Sequence, residues 1–198
     1  MSDHYYSQKP AAKHDLHTVE EVLRGNKLSF ETDAGVFSKK GVDFGSRLLI
    51  DTMEIARNAA VLDVGCGYGP IGLSAALLAA GGSVTMVDIN ERAVELSRRN
   101  AARNRIANVK IVQSDLLAEV KEMAFDVVLT NPPIRAGKET VHRIFEQAYD
   151  VLKPGGALWV VIQKKQGAPS AFAKLETIYG QTIEVTKDKG YRILKAIK

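Results

Sequence analysis

Cysteine is almost absent from this chain, which contains a single thiol, Cys66, among 198 residues. One cysteine forms no internal disulfide, and a lone thiol is typical of a reducing compartment. The first ten residues lack the apolar segment of a signal peptide, and glycines and Pro70 interrupt the uncharged stretch from Val64 to Val87. We therefore expect a cytoplasmic protein that neither is exported nor contacts a membrane.

Excess charge is also small. The chain has 27 Lys and Arg against 23 Asp and Glu, a net charge of +4, which permits an anionic partner without demonstrating one. Its 45% hydrophobic and 25% charged residues are typical of a globular protein. The length allows one full domain with a small appendage.

From residue 60 onward, short apolar runs alternate with helical patterns. Strands this apolar, connected by helices, predict an α/β fold with a mostly parallel sheet covered on both faces. The predicted strands are AAVLDV, SVTMVD, VKIVQSD, FDVVLT and ALWVVIQ. The predicted helices cover Ile71 to Ala80, the segment NERAVELSRRNAARN, Lys138 to Leu152, and Pro169 to Tyr179.

Both ends of the chain depart from this alternation. Near the C-terminus, β-rich runs flank a turn at Lys187 to Gly190, which predicts a terminal antiparallel hairpin. Near the N-terminus, Thr18 to Leu23 and Leu28 to Thr32 predict a small hairpin, followed by a loop and a helix from about Ser46 to Arg57. We divide the chain into an appendage over residues 1–45, acting as a lid or as an edge extension of the sheet, and a main domain over 46–198.

The first strand of the main domain runs directly into the glycine-rich segment GCGYGPIGL. At this place in a parallel sheet, a glycine turn lets a ligand approach the backbone near a helix N-terminus. Asp88 ends the second strand, where a carboxylate can accept hydrogen bonds from ribose hydroxyls. Asp115 follows the third strand, where it can lie next to an adenine.

Two cofactors compete for this glycine turn. Gly67 to Gly72 fits G-x-G-x-x-G, and its distance from Asp88 is close to the ~20 residues of a nicotinamide dinucleotide site. In an earlier register, Asp63 to Gly69 resembles the D/E-x-G-x-G-x-G turn of class I S-adenosylmethionine-dependent methyltransferases. An acidic residue in the strand suits a ligand with an ammonium group, which a dinucleotide lacks, so we favour the methyltransferase register.

The tetrapeptide Asn131-Pro132-Pro133-Ile134 follows the fourth strand, at the sheet edge where ligands bind. An exocyclic amine on a base or amide is a poor nucleophile, because its lone pair is delocalised. If the Asn131 side-chain oxygen and the Pro132 carbonyl accept its two hydrogens, the lone pair can be directed at a methyl donor. The tetrapeptide therefore predicts transfer to an amine without a metal.

These segments resemble those of the methyltransferases with an N-P-P motif, and more narrowly the small-subunit ribosomal RNA guanine-N2 methyltransferases. The similarity lies in GVFSKKGVDFGSRLL, LDVGCGYGPIG, NPPIRAGK and KKQGAPS. It implies a Rossmann-like fold with a seven-stranded sheet, and catalysis at Asn131, Pro132, Pro133 and Ile134. It also implies S-adenosyl-L-methionine at Asp63, Gly65, Cys66, Gly67, Gly69, Asp88, Ile89, Asp115, Leu116 and Asn131.

The chain departs from the family pattern in two respects. Ile134 replaces the aromatic residue of many members, so a flipped base would meet an aliphatic wall. The chain also has no room for the preceding RNA-binding domain of the long members, so it resembles the short, single-domain branch, and we favour a monomer.

The expected partner is RNA, either ribosomal RNA or a small ribosomal subunit. A flipped base costs a few kcal/mol, which contacts to the RNA backbone must offset. The candidate residues are Phe37, Lys39, Lys40, Arg135, Lys138, Lys164 and Lys165. Alternative targets of the same tetrapeptide are a protein glutamine amide or adenine N6, and alternatives of another class are a nicotinamide oxidoreductase and a non-catalytic RNA-binding assembly factor.

Overall fold

A computed structural model describes residues 13–38 and 40–198. Its strands are β1 (His17–Leu23), β2 (Asn26–Thr32), β3 (Ala60–Val64), β4 (Ser83–Asp88), β5 (Val109–Gln113), β6 (Phe125–Thr130), β7 (Leu152–Gln163), β8 (Gln181–Asp188) and β9 (Tyr191–Ile197). Its α-helices are α1 (Phe44–Thr52), α2 (Pro70–Leu78), α3 (Glu91–Arg103), α4 (Lys138–Val151) and α5 (Ala168–Tyr179). In this part of the chain, no helix is both long and apolar enough to cross a bilayer.

The central sheet has seven strands in the order β5-β4-β3-β6-β7-β9-β8. Strands β3 to β7 pair in parallel, whereas β9 pairs antiparallel with both β7 and β8. Alternate side chains of β3 enter hydrophobic clusters on opposite faces, with Val61 on one and Leu62 and Val64 on the other. The predicted α/β fold with a terminal antiparallel hairpin is therefore confirmed.

Two elements, α1 and β7, differ most from their predicted bounds. Helix α1 begins at Phe44 and ends at Thr52, not at about Ser46 and Arg57, because the Asp43 side chain accepts a hydrogen bond from the Ser46 amide and Met53 turns to extended backbone. Strand β7 begins at Leu152, immediately after α4, instead of at Ala157. Its first residue pairs with Phe125, and the register then shifts before the regular ladder starts at Ala157.

The N-terminal hairpin β1–β2 forms a sheet of its own and packs against α3. Its apolar residues Leu23, Leu28 and Phe30 belong to the same hydrophobic cluster as α1 and one face of the central sheet. The hairpin therefore covers α3 and does not extend the edge of the large sheet. The division between residues 45 and 46 stays a prediction.

Candidate active site

A cavity of about 710 Å³ opens at the carboxyl ends of the central parallel strands. Its walls come from the glycine turn after β3, the segments after β4 and β5, the turn after β6, and the loop that leads into α1. This volume lies within the range of small-molecule and cofactor sites. The fold thus brings the two predicted motifs to one pocket.

The glycine turn forms one wall and is held by the end of β4. The amides of Gly65 and Cys66 both donate to the Val87 carbonyl, at 2.9 and 3.0 Å. Gly65 and Gly67 have φ of +74° and +57°, and a Cβ at either would meet no atom within 4 Å. A side chain at either position would occupy this open space, so the backbone is directly accessible to a ligand.

Gly69 has a different part in this turn. It begins α2 with φ of +105°, and a Cβ there would approach the Ser97 hydroxyl at 3.1 Å. It does not line the cavity. Gly69 therefore allows the tight turn into α2 and lies away from the ligand-facing wall.

Asp88 lies at the cavity wall, where its carboxylate accepts hydrogen bonds from the Gly67 and Asn90 amides, each at 2.9 Å. Burial raises its pKa to about 6, against the lowering effect of these donors. Ile89, Asp115 and Leu116 line the same cavity. The structure thus brings these four predicted residues together.

Asp63 does not reach this cavity, which corrects the expectation that it meets an ammonium group directly. Its side chain is fully buried behind the turn, and within the described residues neither carboxylate oxygen has a hydrogen bond of good geometry. A Cβ on Gly72 would lie 2.8 Å from one of these oxygens. Burial is the main cause that raises the pKa of Asp63 to about 7, and the charge of Asp88 raises it further. The Gly72 amide partly opposes this rise.

Cys66 lines the cavity but is 4% exposed, and its Sγ lies 3.6 Å from the Ser97 hydroxyl. Burial raises the pKa of the thiol, and the carboxylates of Asp88 and Asp63 raise it further. A thiol kept protonated is a poor nucleophile. Cys66 therefore acts as a small wall residue.

The Asn-Pro-Pro turn lies directly beside the glycine turn. Val64 and Thr130 are register partners at the ends of β3 and β6, and the Thr130 hydroxyl donates to the Val64 carbonyl at 3.0 Å. The next residues on the two strands are Gly65 and Asn131, and both line the cavity. The predicted proximity of the two motifs thus follows from strand register.

The turn presents two acceptors. Asn131 Nδ2 donates to the Ser46 hydroxyl at 3.0 Å, and this leaves Oδ1 available. The Pro133 carbonyl accepts from the Ala136 amide at 2.9 Å, whereas among residues 13–38 and 40–198 no donor reaches the Pro132 carbonyl. Pro132, Pro133 and Ile134 all line the cavity.

The predicted RNA-contacting residues fall into two groups. Phe37 and Arg135 line the cavity, and Phe37 is 41% exposed. Four exposed lysines lie outside the cavity: Lys40, Lys138, Lys164 and Lys165. Gln166, which follows Lys165, lines the cavity. Lys39 lies outside the described residues. The four lysines therefore lie outside the pocket, whereas Arg135 forms part of its wall.

Several lining residues were not predicted as site residues: Asp43, Ser46, Thr140, Arg143, Gln166 and Tyr191. Asp43, Ser46 and Gln166 lie in segments that carry the family resemblance, but no role was assigned to them. Asp43 and Ser46 have the spacing of a helix N-cap, which would have placed the start of α1 correctly. His142 does not line this cavity. It stacks on Phe145, and burial, followed by the charges of Lys138 and Lys174, lowers its pKa.

Comparison with known proteins identifies the family. A family model described as the methyltransferase small domain matches residues 27–195. The chain belongs to this family. Membership supports the methyltransferase register of the glycine turn over the dinucleotide register and confirms the resemblance drawn from the motifs.

Relatives of this methyltransferase small domain include both named and uncharacterized proteins. The "Uncharacterized protein YbxB" of Bacillus subtilis (strain 168) is 56% identical over 200 residues, covering 100% of both chains. The ribosomal RNA large subunit methyltransferase G of Pseudomonas putida is 34% identical, over 86% of this chain and 46% of its own. The ribosomal RNA small subunit methyltransferase C of Klebsiella pneumoniae is 35% identical, over 69% of this chain and 40% of its own.

Among solved structures, a T. thermophilus 16S rRNA guanosine-N2 methyltransferase in complex with AdoMet and guanosine superposes with a TM-score of 0.83 at 25% identity. The superposition covers 96% of this chain and 52% of that one. The chain thus spans about half the length of the rRNA methyltransferases that it matches. The likeness confirms the Rossmann-like methyltransferase fold.

Proposed function

We propose that this protein transfers a methyl group from S-adenosyl-L-methionine to an exocyclic amine of a base in ribosomal RNA, with guanine N2 of the small subunit as the target. The observation that carries the proposal is the arrangement of the Asn-Pro-Pro turn. Within the described residues, no donor reaches Asn131 Oδ1 or the Pro132 carbonyl, and both residues line the same cavity as the glycine turn.

The residues present fit S-adenosyl-L-methionine. The open space over Gly65 and Gly67 can admit a nucleoside with an amino-acid tail, and the Asp88 carboxylate at the wall can accept hydrogen bonds from ribose hydroxyls. Ile89, Asp115 and Leu116 extend this wall and would surround the adenine. Asp63 would act indirectly, by holding the shape of the turn from behind.

When bound, this cofactor would supply an electrophilic methyl group for the amine nitrogen, with the carbon–sulfur electron pair returning to sulfur and the proton of the methylated amine passing to solvent water. The chain's own residues prepare the amine. Asn131 Oδ1 and the Pro132 carbonyl accept its two hydrogens, which reduces conjugation of the lone pair and fixes its direction. Positioning and electrostatic complementarity of this kind lower a barrier without a covalent intermediate on the protein.

Guanine N2 is supported by the solved relative in complex with guanosine, and small-subunit RNA by the names of that protein and of the Klebsiella pneumoniae relative. The target base would pack near Ile134 and Phe37 at the rim of the cavity. Arg135, Lys40, Lys138, Lys164 and Lys165 would contact phosphates around the opening.

The test is methyl transfer from tritiated S-adenosyl-L-methionine to separate acceptors: transcripts of small- and large-subunit ribosomal RNA, isolated subunits of both kinds, and a release-factor protein. The expected result is label in small-subunit RNA that co-migrates with N2-methylguanosine after digestion. Asn131→Ala should lower turnover by a large but measurable factor while S-adenosylhomocysteine still binds, and Asn26→Ala, at the start of β2, should match wild type. Label only in large-subunit RNA, in adenine or in protein would reject the target.

A further inference from the structure

Ser46 is the one hydrogen-bonding partner of the Asn131 side chain in the described part of the chain. We propose that Ser46 is a positioning residue that holds the Asn131 amide with Oδ1 toward the target amine. This inference rests on the proposed function and assigns a role to a residue outside both motifs. Ser46 itself need not touch the substrate for this role.

The contact joins two distant parts of the chain. Asn131 Nδ2 donates to Ser46 Oγ at 3.0 Å, between residues 85 positions apart. Ser46 is 3% exposed, so water does not compete freely for its hydroxyl. Both residues line the cavity, so the hydrogen bond lies at the wall where the amine must bind.

The chemical reason is the near symmetry of an asparagine amide. Its oxygen and nitrogen ends have nearly the same shape, so rotation by half a turn replaces an acceptor with a donor at almost no steric cost. A donor facing the amine would repel its hydrogens. A serine hydroxyl can donate as well as accept. In this structure it accepts from Nδ2, so the contact holds the amide with Oδ1 toward the amine.

Ser46 is itself held rigidly. Its backbone amide donates to the Asp43 carboxylate at 3.0 Å, which fixes the first turn of α1. The neighbouring Gly45 lies so close to β9 that a Cβ would approach the Tyr191 ring at 2.7 Å. The hydroxyl is therefore carried by a helix that cannot shift without repacking, as a positioning group requires.

The first arm of the test compares Ser46→Ala, Ser46→Thr and Thr52→Ala in steady-state methyl transfer. Thr52 is the matched control, because its hydroxyl bonds within the same helix, to the Leu48 carbonyl. Ser46→Ala is expected to lower kcat about tenfold with KM for S-adenosyl-L-methionine within about twofold. Ser46→Thr should retain most of kcat, and Thr52→Ala should match wild type.

A double-mutant cycle separates positioning from general packing. If Ser46 acts only through Asn131, the variant Ser46→Ala with Asn131→Ala should be no slower than Asn131→Ala alone. A further multiplicative loss in the double variant would overturn the inference. Equal losses in Ser46→Ala and Thr52→Ala, or an increased KM with unchanged kcat, would also overturn it.

A second arm does not depend on activity. The side-chain amide signals of Asn131 in a ¹⁵N-labelled sample are assigned by their disappearance in Asn131→Ala. They should shift in Ser46→Ala and stay in place in Thr52→Ala. If wild type methylates none of the acceptors, the proposed function fails, and this arm still tests the contact: unchanged Asn131 signals in Ser46→Ala reject the positioning role.

Discussion

The Thr130 hydroxyl donates a hydrogen bond to the Val64 carbonyl at 3.0 Å, joining the last residues of β6 and β3. Both residues are buried, with exposures of 0% and 2%. This bond fixes the strand ends from which the Asn-Pro-Pro turn and the glycine turn begin. The bond therefore reinforces the β3–β6 ladder at the strand ends that flank the cavity.

Thr130→Val keeps the shape of the side chain but removes the donor. We expect a loss of about 1–3 kcal/mol in the free energy of unfolding, because a buried carbonyl loses its partner. We also expect kcat to fall, since the Asn131 acceptor is no longer held against the glycine turn. Urea denaturation and single-turnover methyl transfer measure the two effects, with Thr130→Ser as the control that retains the hydroxyl. Wild-type kcat in a destabilised Thr130→Val would contradict this role.

The open space over the glycine turn makes a second prediction. Gly67→Ala places a Cβ into the cavity at φ +57°, whereas Gly25→Ala adds one at φ +79° in the β1–β2 turn, where no atom lies within 4 Å. Both should cost about 1–2 kcal/mol of stability, because L-residues disfavour left-handed backbone. Only Gly67→Ala should also weaken binding of S-adenosylhomocysteine, by tenfold or more in calorimetry. Equal affinity in the two variants would place the ligand elsewhere.

The parts of the fold that sequence predicts are those set by local patterns. Each apolar run of the central sheet can be recognised as a strand from its own residues, and the glycines after β3, Gly65, Gly67 and Gly69, indicate a turn. The order of motifs along the sheet edge then follows from parallel topology. This is why the glycine turn and the Asn-Pro-Pro turn could be assigned to one pocket.

Contacts between distant segments left no such signal. Ser46 lies in a segment that carries the family resemblance, but nothing in that segment predicts its contact with Asn131, which forms only once α1 packs against β7 and β9. Asp63 was misplaced for the opposite reason: its residue type suits a ligand, but strand alternation turns its side chain away from Leu62 and Val64, behind the turn. Residue type indicates chemistry, and the direction of the side chain decides whether the site can use it.

Asn100 and Asn104 of α3 show how such contacts hold the N-terminal hairpin. Asn100 is fully buried: its Oδ1 accepts from the Glu31 amide at 2.7 Å, and its Nδ2 donates to the Glu31 and Tyr68 carbonyls at 2.9 and 2.8 Å. Asn104 makes the equivalent pair of bonds to Ser29, in a half-buried position. Asn100 therefore joins the hairpin to the glycine turn as well as to the helix.

We expect Asn100→Ala to cost about 3 kcal/mol of stability, because it leaves three backbone groups without their partner. Asn104→Ala should cost about 1 kcal/mol, because solvent can replace the lost bonds. Hydrogen exchange should show faster opening of β2 in both variants. S-adenosylhomocysteine affinity should fall only in Asn100→Ala, since only Asn100 contacts Tyr68 in the turn. Equal losses of affinity in both variants would mean that the hairpin as a whole, and not Asn100, supports the site.

The buried carboxyl of Asp63 makes stability depend on pH. Its pKa is raised from 3.8 to about 7, with burial as the main cause, so the folded protein retains a proton that the unfolded chain loses above pH 4. The free energy of unfolding should therefore decrease as pH rises from about 4 to 7, by at most ~1.4 kcal/mol per pH unit from this group. Asp63→Asn removes the ionisation while keeping the shape.

The difference in the free energy of unfolding between Asp63→Asn and wild type should therefore shift in favour of the variant as pH rises from 5 to 8. Urea denaturation at the two pH values measures this shift. Asp126→Asn is the matched control, because the pKa of Asp126 is lowered: the Ala60 amide and Lys153 outweigh its burial. Asp126 is ionised in both states throughout this pH range, so its substitution should cost the same at pH 5 and pH 8. A pH-independent difference for Asp63→Asn would mean that the carboxyl ionises in the folded protein as readily as in water, and that something in the turn compensates its buried charge.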